Sequence, residues 1–143
     1  MFIGEFTHSI DQKGRIAIPY RLRRALGKGA VITRGLDNCL TIYTQPEWQR
    51  ISEKLVKLPM TNPKARAFSR FMFSGAVEIS FDRQGRALVP EYLRKYAGLK
   101  SQAVIAGLYS KIEIWETKAW EAIKIKTESE KEKISEQLEE LGI

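Results

Sequence analysis

The sequence is poor in residues that carry out catalysis or bind metals. It has one cysteine, Cys39, and one histidine, His8, among 143 residues. A single cysteine excludes an intrachain disulfide, and nothing in the sequence marks secretion. His8 falls on the apolar side of a predicted strand, and we interpret it as a packed strand residue. Neither residue has a cluster of ligands or a catalytic partner beside it, so we predict no metal, no other cofactor and no enzymatic activity.

Long hydrophobic runs and sorting signals are also missing. No run approaches about 18 apolar residues, the length from which a transmembrane helix is expected. The segment Met1–Glu5 has neither a basic region nor a long apolar stretch, so we expect no signal peptide. A Gly-rich phosphate-binding loop of the P-loop kind is not found either. These absences lead us to expect a cytoplasmic protein that is not associated with a membrane.

Acidic residues are scarce over most of the chain. Residues 1–120 contain 20 basic and 10 acidic side chains, whereas residues 121–143 contain 4 basic and 7 acidic ones. A basic body with a mildly acidic tail suits a polyanionic partner, although charge alone fits a merely soluble basic surface equally well. Hydrophobic residues make up 43% of the chain, which is enough for a packed core.

An internal repeat organises the sequence. When the chain is shifted by 71 residues, Phe2–Gly27 aligns with Phe73–Gly98, and ten of the 26 aligned positions are identical. After one residue of slippage the register continues, and it pairs Trp48 with Trp120. Chance would give roughly one match in twenty, so we interpret the pattern as a duplication. We therefore predict a repeat at 5–47, a helical linker at 48–75, a second repeat at 76–119 and a helical tail at 120–143.

Each repeat has the pattern of a hairpin, a short helix and a second hairpin. In the second repeat, residues 76–81 alternate apolar and polar side chains, 82–86 form a turn, 87–89 a returning strand and 90–97 a helix. The first repeat predicts a strand at 6–10, a turn at 11–15 and the same elements after it. Thr44 and Asn62 are predicted caps of two linker helices, and the tail is predicted to be a loosely packed helix.

An Asp-x-x-Gly-Arg turn occurs once in each repeat. Asp and Gly are ordinary turn residues, and Arg could simply pair with Asp, so the motif by itself fits a purely structural role. That role does not explain the basic side chains that crowd both turns and the helices after them. Such cations are favourable opposite phosphates, and an arginine fork can read guanine. We therefore assign DNA binding to Lys13, Arg15, Arg83, Arg86, Arg21, Arg23, Arg24 and Arg94, and turn organisation to Asp11, Gly14, Asp82 and Gly85.

Taken together, these motifs resemble the MraZ family of bacterial transcription regulators. The resemblance rests on Met1-Phe2-x-Gly4, Asp11-Gln12-Lys13-Gly14-Arg15, Asn62-Pro63, Asp82-x-x-Gly85-Arg86 and Ile112-Glu113-Ile114-Trp115, and it covers almost the whole chain up to Trp120. It implies a mainly β fold with helices (α+β), namely a duplicated AbrB-like, swapped-hairpin, double-split β-barrel with interspersed helices and a C-terminal helix. The two halves would intertwine as a pseudo-dimer.

The same resemblance implies a function and partners. The protein would assemble into a homo-oligomeric ring in the nucleoid and bind double-stranded DNA at tandem, short, G-rich direct repeats. Those repeats would lie upstream of its own operon, the division and cell-wall gene cluster. The family's motif arginines correspond to Arg15 and Arg86, and its neighbouring lysine to Lys13. The second turn departs from the motif, because Gln84 replaces the lysine and Arg83 carries the extra charge.

Two other functions remain open from the sequence. The first is the antitoxin half of a toxin–antitoxin pair, in which related barrels serve, although such proteins are usually a single half with a disordered tail. The second is RNA binding, which the turns favour less because they hold no aromatic platform for stacking bases.

Overall fold

The computed structural model describes all 143 residues as eight strands and six helices. The strands are β1 (Phe2–Ser9), β2 (Arg15–Ala17), β3 (Ala30–Arg34), β4 (Leu40–Thr44), β5 (Val77–Ile79), β6 (Arg86–Leu88), β7 (Gln102–Tyr109) and β8 (Lys111–Glu116). The helices are α1 (Tyr20–Leu26), α2 (Gln45–Val56), α3 (Pro63–Gly75), α4 (Glu91–Tyr96), α5 (Thr117–Ser129) and α6 (Lys131–Gln137), and a 3₁₀ turn follows at Glu139–Leu141. The predicted α+β class is confirmed.

The strands of the two repeats are exchanged between the halves. Six strands form one antiparallel sheet in the order β1-β7-β8-β4-β3-β5, and β2 pairs with β6 in a second sheet. The first strand of each repeat therefore pairs with the second hairpin of the other repeat, as in His8 opposite Ala103 and Ile79 opposite Ala30. The hairpins meet where Ile42 lies opposite Ile112. This exchange makes the two repeats one intertwined unit.

Single bridges join the small sheet to both edges of the large one. Ile10 pairs with Ile16 between β1 and β2, and Phe81 pairs with Ala87 between β5 and β6. The strands thus follow one another around a common core. The core comprises 19 buried residues drawn from all eight strands, from α1 and α4 and from the short segments that flank them, and none from the remaining helices. Both repeats must therefore be present for either one to bury its apolar face.

Local capping signals place the linker helices as predicted. Thr44 caps α2, where its Oγ1 accepts the backbone N–H of Glu47 at 3.3 Å. Asn62 caps α3, where its Oδ1 accepts the N–H groups of Lys64 at 2.9 Å and Ala65 at 3.3 Å. These bonds satisfy backbone donors that a helix leaves free in its first turn. The Glu47 carboxylate does not complete a reciprocal capping box, because it pairs with Arg50 instead.

The first strands differ in length from the prediction. β1 begins at Phe2 rather than Phe6, because it pairs with β7 along its whole length as far as Tyr109. β5 covers only residues 77–79 of the predicted 76–81, because its partner β3 begins at Ala30, opposite Ile79, and because Ala76 caps the end of α3. The lengths of both strands are thus decided by distant partners.

The tail is helical and loosely attached, as predicted. α5 and α6 contain no buried residue. Two kinds of contact attach α5: Trp120 and Ile123 pack against the small buried cluster that contains Trp115. The Glu5 carboxylate accepts the indole N–H of Trp120 at 2.6 Å and pairs with Lys124 at 2.7 Å. Beyond Glu130, α6 contacts mainly α5 and the turn that follows it. No helix of the chain is long and apolar enough to cross a membrane.

Candidate nucleic-acid interface

The first Asp-x-x-Gly-Arg turn is organised by its aspartate. Asp11 Oδ1 accepts the backbone N–H of Lys13 at 3.0 Å and of Arg15 at 2.9 Å. The other oxygen, Oδ2, accepts from Arg15 Nε at 2.7 Å. The carboxylate thereby fixes the backbone of the turn and the direction of the arginine at once.

The second turn repeats this arrangement atom by atom. Asp82 Oδ1 accepts the backbone N–H of Gln84 and of Arg86, each at 2.9 Å, and Oδ2 accepts from Arg86 Nε at 2.9 Å. In both turns the aspartate binds the Nε edge of the guanidinium. The terminal nitrogens of Arg15 form no hydrogen bond or ion pair within the chain, so they remain available to another partner.

The turn glycines have backbone conformations and surroundings that favour glycine. Gly14 has φ +86° and Gly85 has φ +74°, which side-chain-bearing residues rarely adopt. Both are also buried. A Cβ on Gly14 would collide with the guanidinium of Arg94, and a Cβ on Gly85 with that of Arg23. Each glycine therefore makes room for an arginine of the other repeat.

These two arginines are held by backbone carbonyls as well. Arg23 Nη1 donates to the carbonyl of Ile18 at 2.9 Å, and Arg94 Nε donates to that of Val89 at 2.9 Å. Two backbone hydrogen bonds also join the halves: Ile18 N–H donates to the Gly85 carbonyl at 3.1 Å, and Val89 N–H donates to the Gly14 carbonyl at 2.9 Å. We call this reciprocal set the cross-repeat contact. It locks each turn against the strand and helix of the other half.

The cross-repeat contact escaped the sequence interpretation, which assigned Arg23 and Arg94 to DNA alone. The signal was present, because both the arginines and the glycines they cover are matched pairs of the repeat. What the sequence does not reveal is that they meet across the two halves.

The two turns lie at opposite ends of the small β2–β6 sheet, which is short enough to bring them close together. β2 and β6 are antiparallel and three residues long, with Ile16 opposite Ala87 at the centre. Arg86 Nη1 lies 3.5 Å from Asp11 Oδ2, so it faces the carboxylates of both turns. No ion pair joins Arg15 to Asp82. The pseudo-symmetry is therefore broken, and Arg86 is the more constrained of the two arginines.

Both turn carboxylates are held in the charged form. The backbone N–H of Arg15 is the largest of the contacts that lower the pKa of Asp11, and its guanidinium adds to the effect. The backbone N–H of Arg86 lowers the pKa of Asp82 in the same way. Each aspartate thus offsets its own arginine, while Lys13 and Arg83 have no acidic partner and supply the excess positive charge of the turns.

The predicted site residues divide by exposure. Lys13 and Arg83 are exposed at the turn tips, and Arg21 and Arg24 are exposed on α1. The side chains of Arg15 and Arg86 are 32% and 28% exposed. Arg23 and Arg94 are half-buried beneath the turns, Asp11 is half-buried, Asp82 is exposed, and Gly14 and Gly85 are buried. Each exposed or half-buried cation retains some surface that a ligand could reach.

The other polar candidates offer no comparable site. Cys39 is fully buried beside Val104 and Trp115, and burial raises the pKa of its thiol to about 12, so little nucleophilic thiolate exists at neutral pH. His8 is half-buried on β1. This burial fits the interpretation of His8 as a packed strand residue.

Comparison with known proteins agrees with the duplication. A family model described as "MraZ protein, putative antitoxin-like" matches the chain twice, at residues 1–71 and 72–141. Proteins named "Transcriptional regulator MraZ" align over all 143 residues: that of Clostridium tetani (strain Massachusetts / E88) is 51% identical, and that of Syntrophomonas wolfei subsp. wolfei 48% identical, each covered over its full length. That of Pelotomaculum thermopropionicum is 50% identical, with 99% of its length covered. These relatives are named as regulators, which agrees with the expectation that the chain is not an enzyme. With both halves matched by the family model and full-length relatives near 50% identity, the chain belongs to the MraZ family.

Proposed function

We propose that this protein is a DNA-binding transcription regulator whose two Asp-x-x-Gly-Arg turns contact the duplex. Its relatives are named as transcriptional regulators, which supports the regulatory role. The observation that carries the DNA-binding part is the Arg15 guanidinium, bound by Asp11 on its Nε edge and unpartnered on its terminal nitrogens. An arginine fixed in this way loses little freedom when its free edge binds the O6 and N7 atoms of guanine or a phosphate.

The surrounding charges fit phosphate contacts. Lys13 and Arg83 project from the turns without acidic partners, and Arg21 and Arg24 add exposed cations on α1. Cations of this kind supply affinity that does not depend on base sequence. Arg23 and Arg94 are also assigned to this surface, where they combine support of the opposite turn with a phosphate-facing charge.

The finer proposal concerns the target and the assembly. The protein forms a homo-oligomeric ring in the nucleoid and binds tandem, short, G-rich direct repeats upstream of its own operon, which is the division and cell-wall gene cluster. A ring presents its turns head to tail, and neighbouring subunits therefore select direct repeats rather than a palindrome. This part rests on the family resemblance and on the fact that one chain already contains both turns.

A titration of the purified protein against its own upstream DNA tests the proposal. We expect tight binding to that fragment and weaker binding to a scrambled fragment of equal length and composition. Affinity should also fall steeply with salt, since phosphate contacts release counterions. Equal affinity for both fragments would contradict sequence-specific regulation, and a flat salt dependence would contradict phosphate contacts.

An antitoxin role is the second candidate, because the description of the matching family model names it. It predicts that a gene beside this one encodes a toxin and that co-expression of this chain relieves the toxicity. Duplication within a single chain favours the regulator instead, since related antitoxin barrels usually consist of one half.

A further inference from the structure

An apolar groove lies between the end of α2 and the face of α3. Its volume is about 400 Å³, enough for two or three aliphatic side chains. Leu55 is buried at its base, whereas the walls are exposed: Val56 at 69%, Met60 at 85% and Leu58 at 37%. Contiguous exposed apolar surface of this kind marks an interaction site.

The rim of the groove is basic. Arg66 and Arg70 line it, and Lys54 and Lys57 lie on or directly after the adjoining helix α2. None of the four forms an ion pair within the chain. Arg66 donates to the Met60 carbonyl at 3.0 Å, which holds its charge beside the opening. The groove therefore combines an apolar floor with uncompensated positive charge.

The segment Lys131–Ile143 has the opposite character. Ile134, Leu138 and Leu141 recur at intervals of four and three residues, which places them on one face of the helical tail. No residue of α6 or of the following turn is buried, and Leu141 and Ile143 are 73% and 81% exposed. The segment carries four glutamates against two lysines, and none of these side chains forms an ion pair; the glutamates are Glu132, Glu136, Glu139 and Glu140.

We propose that the groove binds the segment Lys131–Ile143 of a second copy of this chain. The aliphatic face of the segment would enter the groove, and its glutamates would face Arg66 and Arg70. The tail of the same chain is directed elsewhere, because α5 carries it over β7 and β8 while α2 and α3 lie on β3 and β4. Both surfaces are unpartnered, and they match in charge and in apolar character.

The geometry of this contact determines the kind of assembly. Groove and tail are different surfaces, so the contact is heterologous, and repeated copies form a closed ring when the rotation between them closes. The inference rests on the proposed homo-oligomer and names its interface. It is independent of the turns, which lie on other elements.

A charge exchange tests the interface in the full-length chain. The groove variant is Arg66→Glu/Arg70→Glu, in which an acidic groove meets the acidic tail of the next copy. The tail variant is Glu136→Lys/Glu139→Lys/Glu140→Lys, in which a basic tail meets the basic groove of the next copy. We expect each variant alone to shift from the oligomeric to the single-chain mass by size exclusion with light scattering. An equimolar mixture should regain the oligomeric mass, because each groove then meets a tail of opposite charge. A chain that carries all five substitutions should assemble by itself.

Lys64→Glu is the matched control, since Lys64 is exposed on α3 but does not line the groove. It should assemble like the wild type, and thermal melting should show that every variant is folded. The inference is overturned if both charge variants assemble normally, or if they dissociate and the mixture does not recover. A wild type of single-chain mass would refute the proposed oligomer as well, while the DNA titration still tests the turns separately.

Discussion

At the scale of single residues, the two turn arginines differ in their partners. Arg15 bonds one carboxylate, whereas Arg86 bonds Asp82 and also lies near Asp11. Arg15 therefore keeps both terminal nitrogens available for a base, whereas one terminal nitrogen of Arg86 already faces Asp11. We predict that Arg15→Ala weakens specific binding by about tenfold or more, the effect of losing roughly 1–3 kcal/mol of base contact. Arg86→Ala should weaken it less.

DNA titrations with both single variants measure this difference. Thermal melting provides the control, because the side chains of Arg15 and Arg86 lie partly at the surface and outside the hydrophobic core, where substitutions usually change stability little. An Arg86→Ala effect equal to or larger than that of Arg15→Ala would contradict the assigned asymmetry. A large drop in melting temperature with normal binding by the folded fraction would make the arginine structural instead.

The turn glycines give a second test at the residue scale. Gly85→Ala would strain a backbone with positive φ and would also displace Arg23 from the Ile18 carbonyl. Gly98 is the matched control, since it has φ +64° and no atom lies within 4 Å of the position that an added Cβ would occupy. Both substitutions carry the backbone strain of roughly 1–2 kcal/mol. Gly85→Ala should cost about 1 kcal/mol more, for the lost hydrogen bond.

Urea denaturation of the two variants gives this difference in the free energy of unfolding. Equal destabilisation by Gly85→Ala and Gly98→Ala would show that Arg23 adjusts without loss, and would contradict a contribution of its hydrogen bond with Ile18 to stability.

At the scale of elements, one surface carboxylate contributes to the anchoring of α5, beside the packing of Trp120 and Ile123. The hydrogen bond from Lys124 is the main cause that lowers the pKa of Glu5, and that from Trp120 adds to it. A carboxyl group with a lowered pKa stabilises the folded arrangement above its ordinary pKa of about 4.3, and the effect is lost as pH falls through the lower folded value. We therefore predict that α5 loosens on acidification below the ordinary pKa of a glutamate, as Glu5 becomes protonated.

Glu5→Gln should produce the same loosening at neutral pH, because the amide cannot pair with Lys124. Hydrogen exchange should become faster in α5 and stay unchanged in α4. Glu47→Gln is the control, since Glu47 pairs with Arg50 on its own helix and anchors nothing else. Unchanged exchange in α5 of the Glu5 variant would show that Trp120 packing alone holds the helix.

Elements whose signals are local could be predicted from the sequence. The caps Thr44 and Asn62 and the two turns were found because capping and turn residues act on backbone groups a few positions away. The ends of the strands could not be predicted in this way, because β1 extends to Phe2 only since β7 offers a partner there. The candidate site was predictable to the same extent. Its residues are recognisable in the sequence, whereas the contact of Arg94 with Gly14 is not, because it joins positions 80 residues apart.

At the scale of the whole molecule, the proposed ring leads to a prediction about spacing. Subunits that face one side of the duplex require direct repeats about every 10 base pairs, one helical turn. Inserting about 5 base pairs between two repeats turns one of them to the far side, and avidity across neighbouring subunits is then lost. An insertion of about 10 base pairs should restore binding. Equal affinity for all three spacings, or a preference for inverted repeats, would contradict the ring.

The central claim is that the two Asp-x-x-Gly-Arg turns bind DNA, and the double variant Arg15→Ala/Arg86→Ala tests it most directly. Its affinity for the protein's own upstream fragment and for a scrambled fragment is compared with that of the wild type and of Arg50→Ala, which removes an exposed arginine of α2. We predict that the double variant remains folded and binds both fragments equally weakly, while Arg50→Ala keeps the preference of the wild type. A folded double variant that still prefers the upstream fragment as strongly as the wild type would contradict the claim.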